Sequence, residues 1–164
     1  MESPQRVEPG PGQESVWDYP RPPRLEPVDG RVQVWFDGTL IADTTNALRM
    51  LETYHPPTVY LPPDDVYTRA LKPVARTTFC EWKGSASYFD VETGARRAER
   101  AAWVYFDPAS PYEALAGHIS FYPSVLDCTI DGEKVLPQPG VFYGGWVTST
   151  VTGPFKGSPG MDGW

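Results

Sequence analysis

The sequence predicts a mainly β protein, a compact antiparallel β domain with tent-like or barrel-like sheets and one or two short helices. The chain of 164 residues contains 19 prolines and 15 glycines, which argue for many turns and against long helices. Short apolar runs recur between turn signals such as Asp37-Gly38 and Asp131-Gly132, as is typical of hairpins. No helical pattern is long enough for the repeated crossovers of a parallel α/β sheet.

Three regions divide the chain. Residues 1–15 are polar and proline-rich and are expected to be a disordered lead-in. Residues 16–136 are expected to form a single β domain that begins with a proline-rich, extended arm. Residues 137–164 are rich in glycine and aromatic side chains. We expect them to be a C-terminal extension packed on the domain, with Trp164 as a docked terminus.

The strand predictions follow the two-residue alternation of apolar side chains. In chain order, the predicted strands cover residues 31–36, 39–42, 58–61, 76–82, 85–91, 101–106 and 118–122, with a hairpin over 128–135. A short helix is predicted over 46–53, with Asp43 or Thr44 as its cap and Pro56 after its end. Single helical turns are predicted over 64–70 and 111–117.

Charge and composition exclude several function classes. The net charge of −7 repels phosphate backbones, so no nucleic-acid partner is expected. No apolar run is long enough to span a bilayer and residues 1–12 do not resemble a signal peptide, so we expect no membrane partner and a cytoplasmic location. Cys80 and Cys128 are then free thiols. Two cysteines and two histidines without paired spacing do not build a standard zinc site, so no metal site is expected and the cofactor is unknown.

The stretch between Phe79 and Phe89 carries the densest chemistry of the chain. Cys80 is a candidate nucleophile if a neighbouring cation lowers its pKa, but a small buried residue is the favoured alternative. Lys83 is a candidate anion-binding residue, and Gly84 lets a ligand approach the backbone. The alternative of equal weight is an exposed lysine beside a glycine bend.

Aromatic residues supply the broadest signal for a ligand site, because several of them on one concave face can enclose a planar or cationic ligand. An aromatic core is the commoner outcome. The predicted ligand-binding residues are Lys83, Trp82, Tyr88, Trp103, Tyr105 and Tyr54. We expect Lys83→Ala and Trp103→Ala to weaken ligand binding with little loss of stability.

His55 and Glu52 form a second candidate pair for chemistry. Glu52 stands three positions before His55, so across a helical turn its carboxylate could orient the imidazole as a general base. The favoured alternative is a histidine that caps a helix C-terminus. The catalytic residues therefore remain unknown, with Cys80, His55 and Glu52 as candidates.

Several motifs resemble, in order, those of the bacterial family called domain of unknown function 427. They are Arg21-Pro22-Pro23-Arg24, Ile41-Ala42-Asp43-Thr44, Leu51-Glu52-Thr53-Tyr54-His55-Pro56-Pro57, Cys80-Glu81-Trp82-Lys83-Gly84-Ser85-Ala86-Ser87-Tyr88, Ala102-Trp103-Val104-Tyr105 and Ile119-Ser120-Phe121-Tyr122-Pro123. The resemblance implies a β structure similar to the tent-like sheets of methionine sulfoxide reductase B and cereblon ligand-binding domains. Those relatives hold zinc with paired cysteines, which this chain lacks.

The resemblance also brings the label nucleotidyltransferase-like. Polymerase-type transferases place Gly-Ser at a helix start and two acidic residues on the next strand to hold Mg²⁺. Gly84-Ser85 followed by Asp90-Val91-Glu92 mimics that order. Only four residues separate Ser85 from Asp90, which leaves no room for the helix, so the run predicts one strand with these two side chains on opposite faces.

Three hypotheses follow from the sequence. The first is a module that binds a small anionic or planar ligand in an aromatic pocket, and it is slightly favoured because no nucleophile–base pair stands out. The second is an enzyme that uses the same pocket. The third is a structural protein whose aromatic tail contacts a partner, with a homodimer as the simplest form.

Overall fold

A computed structural model describes residues 4–140 and 142–161, so the prediction for Trp164 lies outside the described residues. The described residues form fifteen strands: β1 (Glu14–Ser15), β2 (Arg24–Pro27), β3 (Val32–Phe36), β4 (Thr39–Thr44), β5 (Leu48–Leu51), β6 (Thr58–Tyr60), β7 (Leu71–Cys80), β8 (Gly84–Thr93), β9 (Arg96–Val104), β10 (Ile119–Phe121), β11 (Asp127–Ile130), β12 (Glu133–Lys134), β13 (Leu136–Pro137), β14 (Trp146–Val147) and β15 (Val151–Thr152). The helical segments are four 3₁₀ turns: Val16–Asp18, Pro63–Asp65, Thr68–Ala70 and Glu113–Leu115.

The strands form several antiparallel sheets, so the predicted mainly β class is confirmed. One four-stranded sheet has the order β10-β9-β8-β7, a second has the order β12-β11-β3-β4, and a three-stranded sheet has the order β2-β5-β6. Leu61 and Ile119 exchange two backbone hydrogen bonds of 2.8 Å, which joins the three-stranded sheet to the edge of the first. These sheets do not close into a barrel within the described part of the chain.

The main core lies between the two four-stranded sheets. Val32, Val34 and Ile41 from one sheet and Val104 and Phe121 from the other belong to a single buried cluster. Alternation along these strands turns one face of each sheet toward this cluster. The other face of β7, β8 and β9 is left for a second cluster, which is mostly aromatic.

The turn predictions are confirmed where the chemistry of the turn is strongest. Asp37 and Gly38 have φ values of 50° and 78°, and Asp131 and Gly132 have 49° and 81°. Two successive residues with positive φ are the requirement of the type I′ hairpin turn. These turns join β3 to β4 and β11 to β12.

The helix predicted over 46–53 is wrong, because residues Leu48–Leu51 form β5 in the middle of a three-stranded sheet. Met50 and Leu51 are both buried, but they belong to different apolar clusters on opposite faces of the strand. Burial on both faces favours a central strand over a helix. Thr44 does cap a backbone N–H, that of Asn46 at 2.9 Å, but it does so in a turn between two strands.

The β7–β8 hairpin positions the stretch that the sequence singled out. β7 runs from Leu71 to Cys80. It begins five residues and ends two residues before the strand predicted over 76–82. Residues 81–83 form the turn, so Trp82 and Lys83 belong to it and not to a strand. Gly84 opens β8 with φ +103°, a conformation that side-chain-bearing residues rarely adopt.

The two ends of the described chain contact each other. β1 pairs with β15 in parallel, and the backbone N–H of Val7 donates to the carbonyl of Gly153 at 3.0 Å. Val7, Glu14 and Ser15, within the region expected to be a disordered lead-in, therefore have backbone partners in the extension. Trp146 of the extension is 1% exposed and donates its indole N–H to the carbonyl of Phe121 at 3.0 Å.

Within the described residues, no helix has both the length and the apolar character needed to cross a bilayer.

Candidate functional site

A cavity of about 300 Å³ lies over the outer face of β7, β8 and β9, and we call it the aromatic pocket. Its walls come from the strands, from the segment around His55 and from the C-terminal extension. The lining residues are Met50, Glu52, His55, Thr58, Tyr60, Thr78, Phe79, Cys80, Lys83, Tyr88, Trp103, Tyr105, Tyr122, Gln138, Phe142, Tyr143, Gly144 and Lys156.

Strand register builds the floor of the aromatic pocket. Tyr88 and Trp103 are direct cross-strand partners, so their rings project from one face of the sheet. The hydroxyl of Tyr88 lies 2.8 Å from that of Thr78 on β7. The indole of Trp103 packs against Tyr122 and Tyr60, with ring centroids 4.5 Å and 6.2 Å away. The floor is therefore a set of rings held in place by one another.

The extension forms a wall of the pocket by close backbone approach to Trp103. A Cβ atom added at Gly144 would lie 2.2 Å from Cη2 of the Trp103 indole. Only glycine fits such an approach without movement of one of the two elements. Gly144 thus brings the neighbouring Tyr143 to the cavity, where its ring meets His55 edge-on at a centroid distance of 5.3 Å.

The side chain of Gln138 determines which ring nitrogen of neutral His55 carries the proton. Its amide oxygen accepts from the backbone N–H of Gly145 at 3.2 Å, and its amide nitrogen donates to the carbonyl of Lys156 at 2.8 Å. The same nitrogen lies 3.0 Å from Nδ1 of His55. Since an amide nitrogen only donates, Nδ1 accepts and the ring proton of neutral His55 sits on Nε2.

Burial and the positive charge of Lys156 lower the pKa of His55 to about 4, so the imidazole is neutral at physiological pH. Nε2 lies 3.8 Å from an oxygen of Glu52, which is too long for a hydrogen bond. The pair is therefore not an ion pair at neutral pH. Neutral His55 offers the cavity a hydrogen-bond donor, which differs from the general base that the sequence suggested.

Two lysines give the aromatic pocket its positive charge. The ammonium group of Lys83, at the hairpin turn, lies 5.5 Å from the ring centroid of Tyr105, within cation–π range. Lys156 enters from the extension. Within residues 4–140 and 142–161, neither lysine forms an ion pair. Glu52 is the one carboxylate among the lining residues, and it also lies 3.8 Å from the Arg21 guanidinium.

The structure brings together most of the residues singled out from the sequence. The predicted residues that line the aromatic pocket are Cys80, His55, Glu52, Lys83, Tyr88, Trp103 and Tyr105. Trp82 and Tyr54 are not among the lining residues. Trp82 packs half-buried against the same aromatic cluster. Tyr54 packs edge-on against Trp17 and lies under the guanidinium of Arg21 at 5.7 Å.

The extension contributes residues that sequence reasoning did not assign to the site. They are Gln138, Phe142, Tyr143, Gly144 and Lys156. No local pattern connects them with Lys83, because the sequence separation is more than fifty residues and depends on the sheet packing. The signal that was available is the Gly144-Gly145 pair beside aromatic residues, which is typical of a segment that lies close against another surface.

The two cysteines lie in different environments. Cys80 is half-buried and lines the aromatic pocket. Cys128 is buried in the main core opposite Val34, and burial raises its thiol pKa. A thiol kept protonated in a packed core is inert.

The residues that mimic a nucleotidyltransferase pattern lie on one strand, as predicted. Ser85 and Asp90 both belong to β8. The Asp90 carboxylate accepts from the Arg97 guanidinium and from the backbone N–H of Arg100, each at 2.7 Å. Burial by itself raises the pKa of Asp90, but these donors outweigh it and the pKa is lowered. The described residues contain no group of three or more His, Cys, Asp or Glu side chains arranged to hold a metal ion.

Comparison with known proteins places the chain in a family. The model of the Domain of unknown function (DUF427) family, whose short name NTP_transf_9 refers to nucleotidyltransferases, matches residues 24–132. This is most of the chain, and the protein belongs to that family. No curated protein matches the chain. The match ends before Gln138, so Lys156 and the other pocket residues of the extension lie outside the family model.

Proposed function

We propose that this protein is a binding module whose aromatic pocket holds a small, planar anionic ligand. The observation that carries the proposal is that Lys83 and Lys156 line an aromatic cavity without an ion-pair partner among the described residues. A chain with net charge −7 has carboxylates in excess, so lysines left without one at a cavity favour an external anion.

The remaining lining groups suit a planar body on that anion. The rings of Trp103, Tyr105 and Tyr122 offer faces and edges for stacking. The Nε2–H of His55 is a donor for an acceptor atom of the ligand. Phe79 and Phe142, which are 76% and 60% exposed, line the same cavity and supply apolar cover for a bound ring.

A charged and a neutral probe of the same shape test this proposal. Calorimetric titration of the protein should show binding of biphenyl-4-carboxylate and about tenfold weaker binding of biphenyl-4-carboxamide, because only the carboxylate carries a negative charge that pairs with the lysine ammonium. Lys156→Gln should remove most of that difference.

The matched control is Lys134→Gln. Lys134 is an exposed lysine on β12 and does not line the aromatic pocket, so its replacement should leave both affinities unchanged. Equal binding of the two probes, or equal effects of Lys156→Gln and Lys134→Gln, would refute an anion site in this pocket.

The second candidate is an enzyme that uses the same pocket, and one observation favours it. Cys80, which is distant in sequence from His55 and Glu52, lines one cavity with them. An enzyme with a covalent step through Cys80 requires a thiol that iodoacetamide alkylates much faster than a free cysteine at pH 7. Slow labelling favours the binding module, and buried Cys128 serves as the internal reference. Nucleotidyl transfer, the activity behind the family label, is the other form of this candidate.

The proposal includes a cytoplasmic location in a bacterium, a small-molecule ligand and no nucleic-acid or membrane partner. No bound metal ion is part of it. A homodimer through the aromatic tail remains a prediction that sedimentation can test.

A further inference from the structure

A second depression, of about 360 Å³, continues from the aromatic pocket along the sheet, and we call it the arginine annex. It shares Tyr88, Tyr122 and Phe142 with the aromatic pocket. Its full lining is Arg76, Tyr88, Glu99, Arg100, Tyr122, Ser124, Val125 and Phe142. The two cavities together have a volume in the middle of the range of about 300–1,000 Å³ that is usual for small-molecule sites.

The two cavities both draw residues from β7. Arg76 precedes Cys80 by four residues on this strand and lies in the irregular segment between Pro73 and Thr77, so the contacts of its side chain show where it lies. Cys80 and Thr78 line the aromatic pocket, and Arg76 lines the annex. The Arg76 guanidinium lies 5.4 Å from the ring centroid of Tyr88, which is the ring that the two cavities share. The two cavities are therefore adjacent, each is lined by cationic side chains, and we call the two together the trough.

Charge distinguishes this trough from the rest of the surface. Of the 14 lysines and arginines of the chain, six arginines form ion pairs within the described residues. Four of the others line the trough: Lys83, Lys156, Arg76 and Arg100. Glu99 is the one carboxylate of the annex, as Glu52 is of the pocket. Each end therefore has two cations against one carboxylate.

A hydrogen bond from the backbone of Arg100 holds this residue in place. Its N–H donates to the buried Asp90 carboxylate at 2.7 Å, and its φ of 48° marks a distorted position on β9. That carboxylate is also bonded to Arg97. The Arg100 side chain is left to line the annex without an ion pair in the described part of the chain.

We propose that the ligand is an elongated dianion with a planar body, one anionic group at Lys83 and Lys156 and the other at Arg76 and Arg100. This rests on the proposed function, which supplies the first of the two anionic subsites. The rings of Tyr88 and Tyr122 contact the body of the ligand between its ends. A guanidinium pair suits a carboxylate or a phosphate, because each arginine can donate two parallel hydrogen bonds.

A comparison of three probes in calorimetric titration tests the second subsite. Biphenyl-4,4′-dicarboxylate carries a charge at each end, biphenyl-4-carboxylate has one charge on the same body, and terephthalate has two charges on a single short ring. We expect the long dianion to bind about tenfold more tightly than the long monoanion and than terephthalate. Arg76→Gln and Arg100→Gln should each remove most of this gain and leave the monoanion unchanged.

The control is Arg96→Gln, an exposed arginine on β9 outside both cavities, which should change nothing. If the monoanion binds through Lys156 but the long dianion gains no affinity, the second subsite is refuted and the binding module stands. If no probe binds, or if Lys156→Gln has no effect on any of them, the proposed function itself fails. A gain that Arg76→Gln and Arg96→Gln reduce equally would also overturn the inference.

Discussion

Two cavities of this protein show opposite uses of charge. One is a cavity of about 620 Å³ that we call the acidic cavity, and it is larger than the aromatic pocket. Its charged lining residues are Glu14, Glu26, Asp29, Arg49, Asp131 and Glu133. Its charged groups are largely bonded to the protein. Arg49 donates to Glu14 at 2.5 Å and to Glu26 at 2.8 Å, and Glu133 accepts from the backbone N–H and the hydroxyl of Ser149.

The aromatic pocket is smaller, but its lysines have no carboxylate within ion-pair distance among the described residues. Paired charges stabilise the fold and leave little binding energy for a ligand, whereas a charge without a partner at a cavity gains one when a ligand binds. The bonding state of the charges, and not the size of the cavity, therefore indicates the candidate site. Each region then responds differently to mutation.

The largest expected effect comes from the aromatic floor. Trp103 is 7% exposed and packs against Tyr60, Tyr122 and Gly144, so Trp103→Ala should lower the free energy of unfolding by about 4 kcal/mol. This replaces the sequence-based expectation of a small stability loss. Urea unfolding measures the effect, and a loss under about 1 kcal/mol would show that Trp103 is not part of the packing.

Acid should destabilise the protein through His55. The pKa of His55 is lowered to about 4 in the folded state, while the unfolded chain titrates near its ordinary value of about 6.5. As pH falls from about 6.5 to 4, the unfolded state takes up a proton that the folded state does not, so stability falls by about 3 kcal/mol.

The check is urea unfolding at several pH values with His55→Gln, which should remove this part of the acid sensitivity. His118→Gln is the matched control, since His118 does not line the pocket, and it should leave the pH dependence unchanged. Lys156→Gln should raise the pKa of His55 in an NMR titration, because the Lys156 charge helps to lower it. An unchanged titration in that variant would contradict the electrostatics described for the pocket.

The acidic cavity provides the third test of the comparison. Arg49→Gln leaves Glu14 and Glu26 without their charged donor, and we expect a loss of about 2 kcal/mol in the free energy of unfolding. Affinity for biphenyl-4-carboxylate should not change. If Arg49→Gln weakens probe binding while stability stays the same, the roles assigned to the two cavities are reversed.

The smallest expected effect is on the stability of the lysine variants. Lys83→Gln and Lys156→Gln break no ion pair in the described structure, so each should change the free energy of unfolding by less than about 0.5 kcal/mol. Thermal and urea unfolding without ligand provide the measurement. A loss of more than about 1 kcal/mol would show that these ammonium groups support the fold.

Local sequence signals were sufficient for the fold class and for the strongest turns. Asp37-Gly38 and Asp131-Gly132 carry their turn preference in two residues, and strand alternation predicts the paired faces of β3 and β8. The spacing of Leu48 and Leu51 fits a helix, whereas the structure has β5 at this segment. Its strand conformation depends on tertiary pairing with β2 and β6, which no local signal reports.

The same division between local signals and tertiary packing explains why only part of the candidate site could be predicted. Tyr88 and Trp103 lie on the paired strands β8 and β9, Lys83 lies in the turn before β8, and Tyr105 directly follows β9, so short-range patterns place them near one another. Lys156 reaches the pocket because the extension packs along the domain, where its backbone N–H donates to the carbonyl of Tyr54 at 2.8 Å. That contact spans about a hundred residues of sequence.

The most direct test of the proposed anion site is a crystal structure of the protein with biphenyl-4-carboxylate. We expect the carboxylate within hydrogen-bond distance of Nζ of Lys156 and beside Lys83, with the rings against Trp103 and Tyr122. A probe bound in the acidic cavity, or an aromatic pocket that stays empty at saturating probe, would contradict it.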